Sequence, residues 1–392
     1  MVKRRLNIIE ATSYIEEKAI LVGLAADIQP ESERSSADSL DELEALLATA
    51  GGRACGRLFQ HLHAPNSRSF IGRGKVEELK LLLQEKDCRL AVFDNELTPS
   101  QTRALSAELE VRVLDRSGLI LDIFAQRAQS REGRLQVELA QYKYLLPRLT
   151  GLWSHLDRET SAGAGPIGSR GTGETQLESD RRIIRRKIDR LERELEQVRR
   201  DRATQRSRRR KNQLPLAALV GYTNAGKSSL LNRLTGADVP AQDRLFDTLD
   251  ATTRRLRLTP GHTLLLSDTV GFIRKLPHHL VEAFQATLEE LSYADLILHV
   301  VDLSSPEWER QALVTDRLID QLARPAAPRL LLYNKADKVA PADLPLGGEG
   351  LVISARSGQG LEELKQKMAA LLGLEWPQPS GEPEAGGEDG AL

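Results

Sequence analysis

Cysteine is almost missing from this chain: Cys55 and Cys88 are the two it has in 392 residues. Two thiols are too few for a disulfide framework or a zinc site. Long apolar runs are missing as well, and none approaches the roughly 18 residues that would cross a bilayer. The start, Met1-Val2-Lys3-Arg4-Arg5, is basic, but no apolar stretch of signal-peptide length follows it. What is present is 40% hydrophobic and 28% charged residues, the balance of an ordinary globular protein. The length allows two or three domains, each with its own core. These features make the cytoplasm the expected compartment, with no membrane span; a monomer is the expected state.

The formal net charge of −1 conceals an asymmetry. Residues 181–211 hold 15 Lys/Arg against 5 Asp/Glu. A basic block in an otherwise acidic chain suggests a polyanionic partner. The plain alternative is a solvated helix face.

Three kinds of pattern follow one another along the chain. Strands at Lys18–Leu24, Arg53–Leu62, Leu90–Asp94 and Val111–Leu114 alternate with helices at Ser39–Thr49, Lys75–Glu85 and Pro99–Glu110. Thr98 before Pro99 reads as a cap followed by a first-turn proline. This alternation predicts a small α/β domain with a mostly parallel sheet.

From about Ser117 to Leu146 the rhythm is helical, with Leu135, Leu139, Tyr142 and Leu146 spaced four, three, four. Ile184, Ile188, Leu191, Leu195 and Val198 repeat the four-three spacing, so a long antiparallel helical hairpin is expected. Between the stripes, residues 149–173 contain six glycines together with Trp153, His155, Arg158 and Arg170, the composition of a mobile tip. Thr175 and Glu178 are spaced as a capping box for the second helix.

From Gln213 the α/β alternation returns, with Arg254–Leu258 suited to an edge strand. The expected division is 1–115, an N-terminal α/β domain; 116–212, the hairpin; 213–375, a nucleotide-binding domain with a mostly parallel sheet; and 376–392, a disordered tail rich in Pro, Gly and Glu.

The chemistry concentrates in the third part. An apolar strand ending at Val220 runs into Gly221-Tyr222-Thr223-Asn224-Ala225-Gly226-Lys227-Ser228 and then a helix. That is a phosphate-binding loop in its strand–loop–helix setting. Its backbone N–H groups and helix N-terminus attract phosphate oxygens. Lys227 is placed to reach the β- and γ-phosphates and the Ser228 hydroxyl to hold Mg²⁺. Downstream, a strand delivers Asp268-Thr269-Val270-Gly271. Asp268 is expected on Mg²⁺ through water, and the Gly271 N–H at the γ-phosphate. Thr248, Thr252 and Thr253 all follow the first helix, and spacing does not choose which of them serves the metal.

Asn334-Lys335-Ala336-Asp337 resembles the guanine-reading signature of GTPases, whose carboxylate accepts from N1–H and the exocyclic amine. Adenine lacks that donor pair, so discrimination is large. Ser354-Ala355-Arg356 resembles the element whose backbone meets the guanine oxygen. Phe272 stands where Ras-like proteins carry a glutamine that orients water, and phenylalanine cannot polarise water. Slow intrinsic hydrolysis until a partner remodels the site is the expectation, against local packing of Phe272 as the alternative.

These motifs, together with Phe70-Ile71-Gly72-Arg73-Gly74-Lys75, Asp94-Asn95-Glu96-Leu97-Thr98-Pro99, Leu114-Asp115-Arg116 and Gly168-Ser169-Arg170-Gly171-Thr172-Gly173-Glu174-Thr175-Gln176-Leu177-Glu178, resemble the HflX family of ribosome-associated GTPases. The resemblance spans roughly residues 15–375. It implies a cytoplasmic GTP phosphohydrolase that binds GTP and GDP with Mg²⁺. It also implies association with the large ribosomal subunit and its rRNA, where the GTP form splits or rescues ribosomes under stress.

By the same resemblance Thr248, within Phe246-Asp247-Thr248-Leu249-Asp250, is the switch threonine on the metal, although Asp247 replaces an expected alanine. Asn224 resembles the position that holds K⁺ in potassium-dependent relatives; an ordinary loop hydrogen bond is the alternative. ATP binding through the N-terminal domain has Gly72-Arg73-Gly74-Lys75 as its candidate, with a plain tight turn as the other reading. Lys227, Thr248 and Gly271 are the expected catalytic groups. The rival functions are a nucleotide-gated binding module with little hydrolysis and an ATP-driven RNA-remodelling factor.

Overall fold

The computed structural model describes residues 17–151, 172–211, 214–238, 244–249, 251–259, 261–275, 290–324, 326–345 and 350–376. The N-terminal basic stretch, most of the glycine-rich tip with Trp153, His155, Arg158 and Arg170, Asp250, and all of the expected tail except Trp376 lie outside these residues.

The first sheet grows from β1 (Glu17–Ala26), buried from Ala19 onward. α1 (Ala37–Thr49) leads to β2 (Gly52–Leu62) on one side. α2 (Arg73–Glu85) returns the chain to β3 (Leu90–Phe93), and α3 (Pro99–Leu109) leads on to β4 (Arg112–Asp115). The order is β2-β1-β3-β4, parallel throughout. A run buried on both faces belongs in such a sheet. α3 starts as its sequence implies: Pro99 opens it, and Thr98 and Gln101 cap each other reciprocally. Gly72 is the N-cap of α2, so Gly72-Arg73-Gly74-Lys75 opens a helix instead of forming an isolated turn. Lys75 pairs there with Glu78 at 2.7 Å.

The middle segment differs from one continuous helix. It breaks at Ala128–Ser130 into α4 (Arg116–Arg127) and α5 (Arg131–Leu145), each capped by its own side chain, Asp115 and Ser130. α6 runs over Thr172–Lys211, so Thr175 lies inside the helix and is not its cap. Leu139 and Tyr142 of α5 pack on Ile184, Leu191 and Leu195 of α6, joined at the margin by Leu135, Leu146 and Ile188. The two apolar stripes therefore do meet. Arg182, Arg185, Arg186, Arg193 and Arg199 of α6 remain exposed.

The second sheet contains β5 (Leu216–Gly221), β6 (Thr252–Thr259), β7 (His262–Asp268), β8 (Leu296–Asp302), β9 (Arg329–Asn334) and β10 (Leu351–Val352). Its order is β10-β9-β8-β5-β7-β6. β6, on the edge, is the antiparallel member. α7 (Lys227–Thr235) and α9 (Leu361–Leu371) cover one face through Leu230, Leu231, Leu364 and Met368. α8 (Trp308–Leu322) covers the other through Ile319. Trp376, expected to begin a disordered tail, packs against the first of these clusters.

One cluster joins the two sheets. Leu40, Leu43 and Leu47 of α1 and Leu119, Ile123 and Phe124 of α4 share it with Tyr222, Phe246, Leu249, Val270 and Ile273. The nucleotide-site segments thus rest directly on the N-terminal half.

Candidate nucleotide and metal site

The chain runs from β5 to β7 on one side and β8 on the other, so a crevice opens beyond the end of β5. Ligands of open α/β sheets bind at such switch points. Gly221 closes β5, and a side chain there would collide with the Val300 carbonyl on β8. Asn224 (φ 63°) and Gly226 (φ 93°) both adopt the left-handed conformation, the kind of backbone turn from which anion-binding loops are built. Thr223 N donates to Phe272 O at 2.7 Å, and Phe272 N donates to Gly221 O at 3.1 Å, binding the loop to the segment after β7.

Lys227, the first residue of α7, is 6% exposed, and its Nζ donates to the carbonyls of Tyr222 at 2.9 Å and Gly221 at 3.1 Å. Burial lowers its pKa to about 8, against the pull of Asp268 in the other direction. A Cβ on Gly271 would lie 2.8 Å from Thr223 Cα and 3.1 Å from Lys227 Nζ, so the Gly271 backbone is packed against both phosphate-loop groups.

Three oxygen-bearing side chains converge beside the lysine. Ser228 Oγ donates to Asp268 Oδ2 at 2.6 Å, Thr248 Oγ1 donates to the same oxygen at 3.1 Å, and the two hydroxyls are 2.8 Å apart. Thr252 and Thr253 are instead part of β6, opposite Asp268 and Ser267, and Thr253 Oγ1 is 3.2 Å from Ser267 Oγ. The sheet thus engages Thr252 and Thr253, while Thr248 is the one of the three whose hydroxyl bonds the Asp268 carboxylate. Burial raises the Asp268 carboxyl pKa, and its Oδ1 is buried with no hydrogen-bond partner among the described residues. An orphaned carboxylate oxygen beside two hydroxyls, all hard donors, fits Mg²⁺ held partly through water. Such an ion would neutralise charge on the phosphate oxygens.

The cleft is lined by Thr223, Asn224, Gly226, Lys227, Ser228, Thr248, Phe246, Asp247 and Gly271, joined by Ser229 and Arg244, which the motif reading missed. Arg244 had a signal: a cation just ahead of Phe246-Asp247-Thr248. Asp247, the departure from the family pattern, lies 3.9 Å from Arg127 at the end of α4.

Other expected contact residues turn elsewhere. Leu249 and Val270 are core residues, and the Thr269 hydroxyl donates to Leu219 O at 2.7 Å. Tyr222 points its hydroxyl to Glu42 of α1. These can touch nucleotide through backbone alone. Phe272 is 1% exposed and packs with Ala218, Val220, Leu291 and Ile297, so its side chain packs locally and does not enter the cleft.

The base-reading loops are tied to the phosphate loop. Asn334 Nδ2 donates to Ala225 O at 2.9 Å, and Asn334 Oδ1 accepts from Ala355 N at 3.0 Å. The Ala355 N–H, expected at a guanine oxygen, is thus directed at Asn334. Lys335 adopts φ 64° and its Nζ pairs with Asp302 at 2.7 Å. Ala336 N donates to Ile353 O at 3.2 Å. Asp337 is exposed and accepts from Ser354 Oγ at 2.6 Å, which aims its carboxylate. Arg356 is exposed. Sequence reading assigned Ser354 a backbone role and missed this side-chain one.

Three family models match successive parts of the chain. They are a GTP-binding GTPase N-terminal region over residues 37–125, a GTP-binding GTPase middle region over 127–209, and a 50S ribosome-binding GTPase domain over 216–335. The GTPase HflX of Alkalihalophilus pseudofirmus is 49% identical over 366 residues, 93% of this chain and 85% of that one. That of Caldanaerobacter subterraneus is 48% identical over 359 residues, 91% and 81% of the two chains. The Escherichia coli GTPase HflX is 41% identical over 347 residues, 87% and 80%. Similarity of this extent, running through both sheets and the helices between them, makes the chain a P-loop GTPase that belongs to the HflX family.

Proposed function

We propose that this GTPase acts on the large ribosomal subunit, binding it in the GTP form, separating or rescuing ribosomes there, and leaving after hydrolysis. The carrying observation is the contact of Phe246, two residues before Thr248, with Phe124 of α4: ring centroids 4.7 Å apart, edge to face. Thr248 already lies beside Ser228 and Asp268, where a bound γ-phosphate and Mg²⁺ would hold it and where their loss on hydrolysis would free it. Through Phe246 that movement reaches α4 and then α5, which carries the basic α6. Exposed guanidinium groups on α6 suit RNA phosphates. The 50S-binding description of the matched family domain supports the same partner.

In this reading Lys227 and the backbone of residues 221–228 hold the phosphates. Ser228, Thr248 and Asp268 hold the metal, Gly271 reports the γ-phosphate, and Asn334 and Asp337 select guanine. The working parts are 1–115, 116–212 and 213–375, with the ribosome supplying what Phe272 cannot. The deciding measurement is steady-state GTP hydrolysis with and without purified large subunits over a salt series, with Asp337→Asn as control. A strong rise with subunits, lost in the control, supports the reading. An unchanged rate with tight nucleotide binding favours a nucleotide-gated binding module.

A further inference from the structure

The two cysteines are brought together by an irregularity in β2. Ala54 of β2 lies opposite Ala19 of β1, but Ile20 lies opposite Gly56, so Cys55 is the extra residue of a bulge. Side chains alternate along a strand, so in a regular strand Ala54, Gly56 and Leu58 would share one face and Cys55 would take the other. Here Ala54 packs toward α1 and α4. Leu58 packs toward α2, and a Cβ on Gly56 would meet Ile20 Cδ1 at 3.2 Å and Leu82 Cδ2 at 3.5 Å on that same side. The bulge resets the alternation and turns Cys55 onto the α2 face, where it packs into the cluster containing Cys88.

Cys88 follows the end of α2 and just precedes β3. Its N–H donates to Leu83 O at 2.9 Å, and its Sγ is 3.7 Å from Lys86 O. It is 4% exposed, whereas Cys55 on edge strand β2 is partly exposed. The Cys88 thiol is pushed up to about 11, first by burial and then by the neighbouring Cys55 thiol. A single buried cysteine is readily explained as a small apolar filler. Here both of the chain's cysteines meet, one reachable and one sheltered, through a bulge that redirects one of them.

We propose that Cys55 and Cys88 form a reversible thiol–disulfide pair, a modification site for peroxide-class oxidants, clamping edge strand β2 to the turn between α2 and β3. The partly exposed Cys55 sulfur attacks one peroxide oxygen; the O–O bond breaks, the departing hydroxide takes the Cys55 thiol proton to leave as water, and Cys55 becomes a sulfenic acid. The Cys88 sulfur then attacks the Cys55 sulfur; the S–S bond forms, the S–O bond breaks, and the hydroxyl leaves with the Cys88 proton as a second water. Two thiols have lost two electrons and two protons, and one peroxide has become two waters. A small dithiol reverses the pair, and in reducing surroundings it rests as thiols.

The test treats the full chain with hydrogen peroxide, then alkylates it and reads intact mass and peptide maps. The expected result is simultaneous loss of both thiols in monomeric protein, a mass lower by two hydrogens, a Cys55–Cys88 linked peptide, and full recovery with dithiothreitol. In Cys88→Ala, Cys55 should accumulate oxygen adducts instead. In Cys55→Ala, oxidation of Cys88 should slow on the order of 10-fold or more. Circular dichroism confirms that each variant is folded, and Cys88→Ser replaces Cys88→Ala if it is not. The proposal fails if wild-type protein gains oxygen on either cysteine without the linked peptide. It also fails if cross-linking occurs between chains, or if both thiols survive peroxide that oxidises a free thiol.

Discussion

Lys275 reaches from the segment after β7 into the other sheet's switch point and ends on the carboxylate of Asp94. Asp94 follows β3, is fully buried, accepts from the Ser39 hydroxyl at 2.9 Å and the Ser35 hydroxyl at 2.6 Å, and binds Arg116 at 2.6 Å. Arg116 in turn binds Glu42, which also receives the Tyr222 hydroxyl from the phosphate loop. The crevice of the first sheet, the usual place for a ligand in such a fold, is thus filled by the GTPase domain's own lysine.

Removing either partner should destabilise the protein, but unequally. Asp94→Ala leaves two buried cations, Lys275 and Arg116, without this carboxylate, a loss of about 3–5 kcal/mol. Lys275→Ala leaves Asp94 with Arg116 and two hydroxyls, so about 1–3 kcal/mol is expected. Urea unfolding of the two variants measures the difference. Equal losses would mean that Arg116 does not share the carboxylate as the geometry implies.

Lys227 gives nucleotide binding a pH dependence. Its pKa is lowered to about 8, so above that pH the free protein carries it mostly neutral. Phosphate binds the charged form, so binding above pH 8 must take up a proton. Affinity for GTP should fall about tenfold per pH unit between roughly pH 8 and 10, where the lysine of a solvated chain would still be charged. Calorimetry in buffers of different ionisation enthalpy should find proton uptake approaching one per nucleotide there. Uptake near zero would exclude Lys227 as the titrating contact.

Much of the site was legible because short-range rules govern it. A strand–Gly-rich loop–helix needs only neighbours in sequence, and Gly221, Gly226 and Lys227 sit where that rule puts them. The apolar stripes of α5 and α6 were legible for the same reason, since 3.6-residue periodicity is local. What sequence could not choose was decided by long-range pairing. Thr248 separates from Thr252 and Thr253 because the latter two are taken into β6. Trp376 looked like tail by composition, yet an indole beside a core groove buries apolar area that composition does not record. The Asp94–Lys275–Arg116–Glu42 cluster joins residues far apart in sequence; Asp94 and Arg116 stand in family motifs, but no local pattern pairs them with Lys275 and Glu42. The bulge at Cys55 is a matter of register, which no local pattern of β2 announces.

Gly226→Ala should damage phosphate and base recognition together. Its φ of 93° disfavours any side chain, and the new methyl would strike the Asn334 side-chain amide. That amide bonds Ala225 O and the Ala355 N–H, so displacing it disturbs both loops. The expected outcome is loss of GTP affinity on the order of 10²-fold or more, from strain of about 1–3 kcal/mol plus the broken buried hydrogen bonds. Titration with a fluorescent GTP analogue checks it. A variant that weakens GTP while leaving GDP affinity intact would contradict the claim, because both nucleotides share the affected contacts.

Ser354 and Asp337 yield the sharpest prediction on specificity. An aspartate accepts from guanine N1–H and its exocyclic amine; Asp337→Asn offers one acceptor and one donor. That pattern suits xanthine, which keeps N1–H but carries an oxygen in place of the amine. Asp337→Asn should therefore lose GTP affinity by on the order of 10²–10⁴-fold and gain affinity for the xanthine nucleotide. Ser354→Ala keeps the carboxylate but frees it to rotate, because the 2.6 Å bond from Ser354 Oγ is lost. GTP affinity should fall by roughly 10-fold, from about 1–2 kcal/mol, with no gain toward xanthine. Competition of guanine, xanthine and adenine nucleotides for each variant separates the two effects. If Ser354→Ala also shifts preference toward xanthine, the serine does more than aim the carboxylate, and the assignment of base reading to Asp337 alone fails.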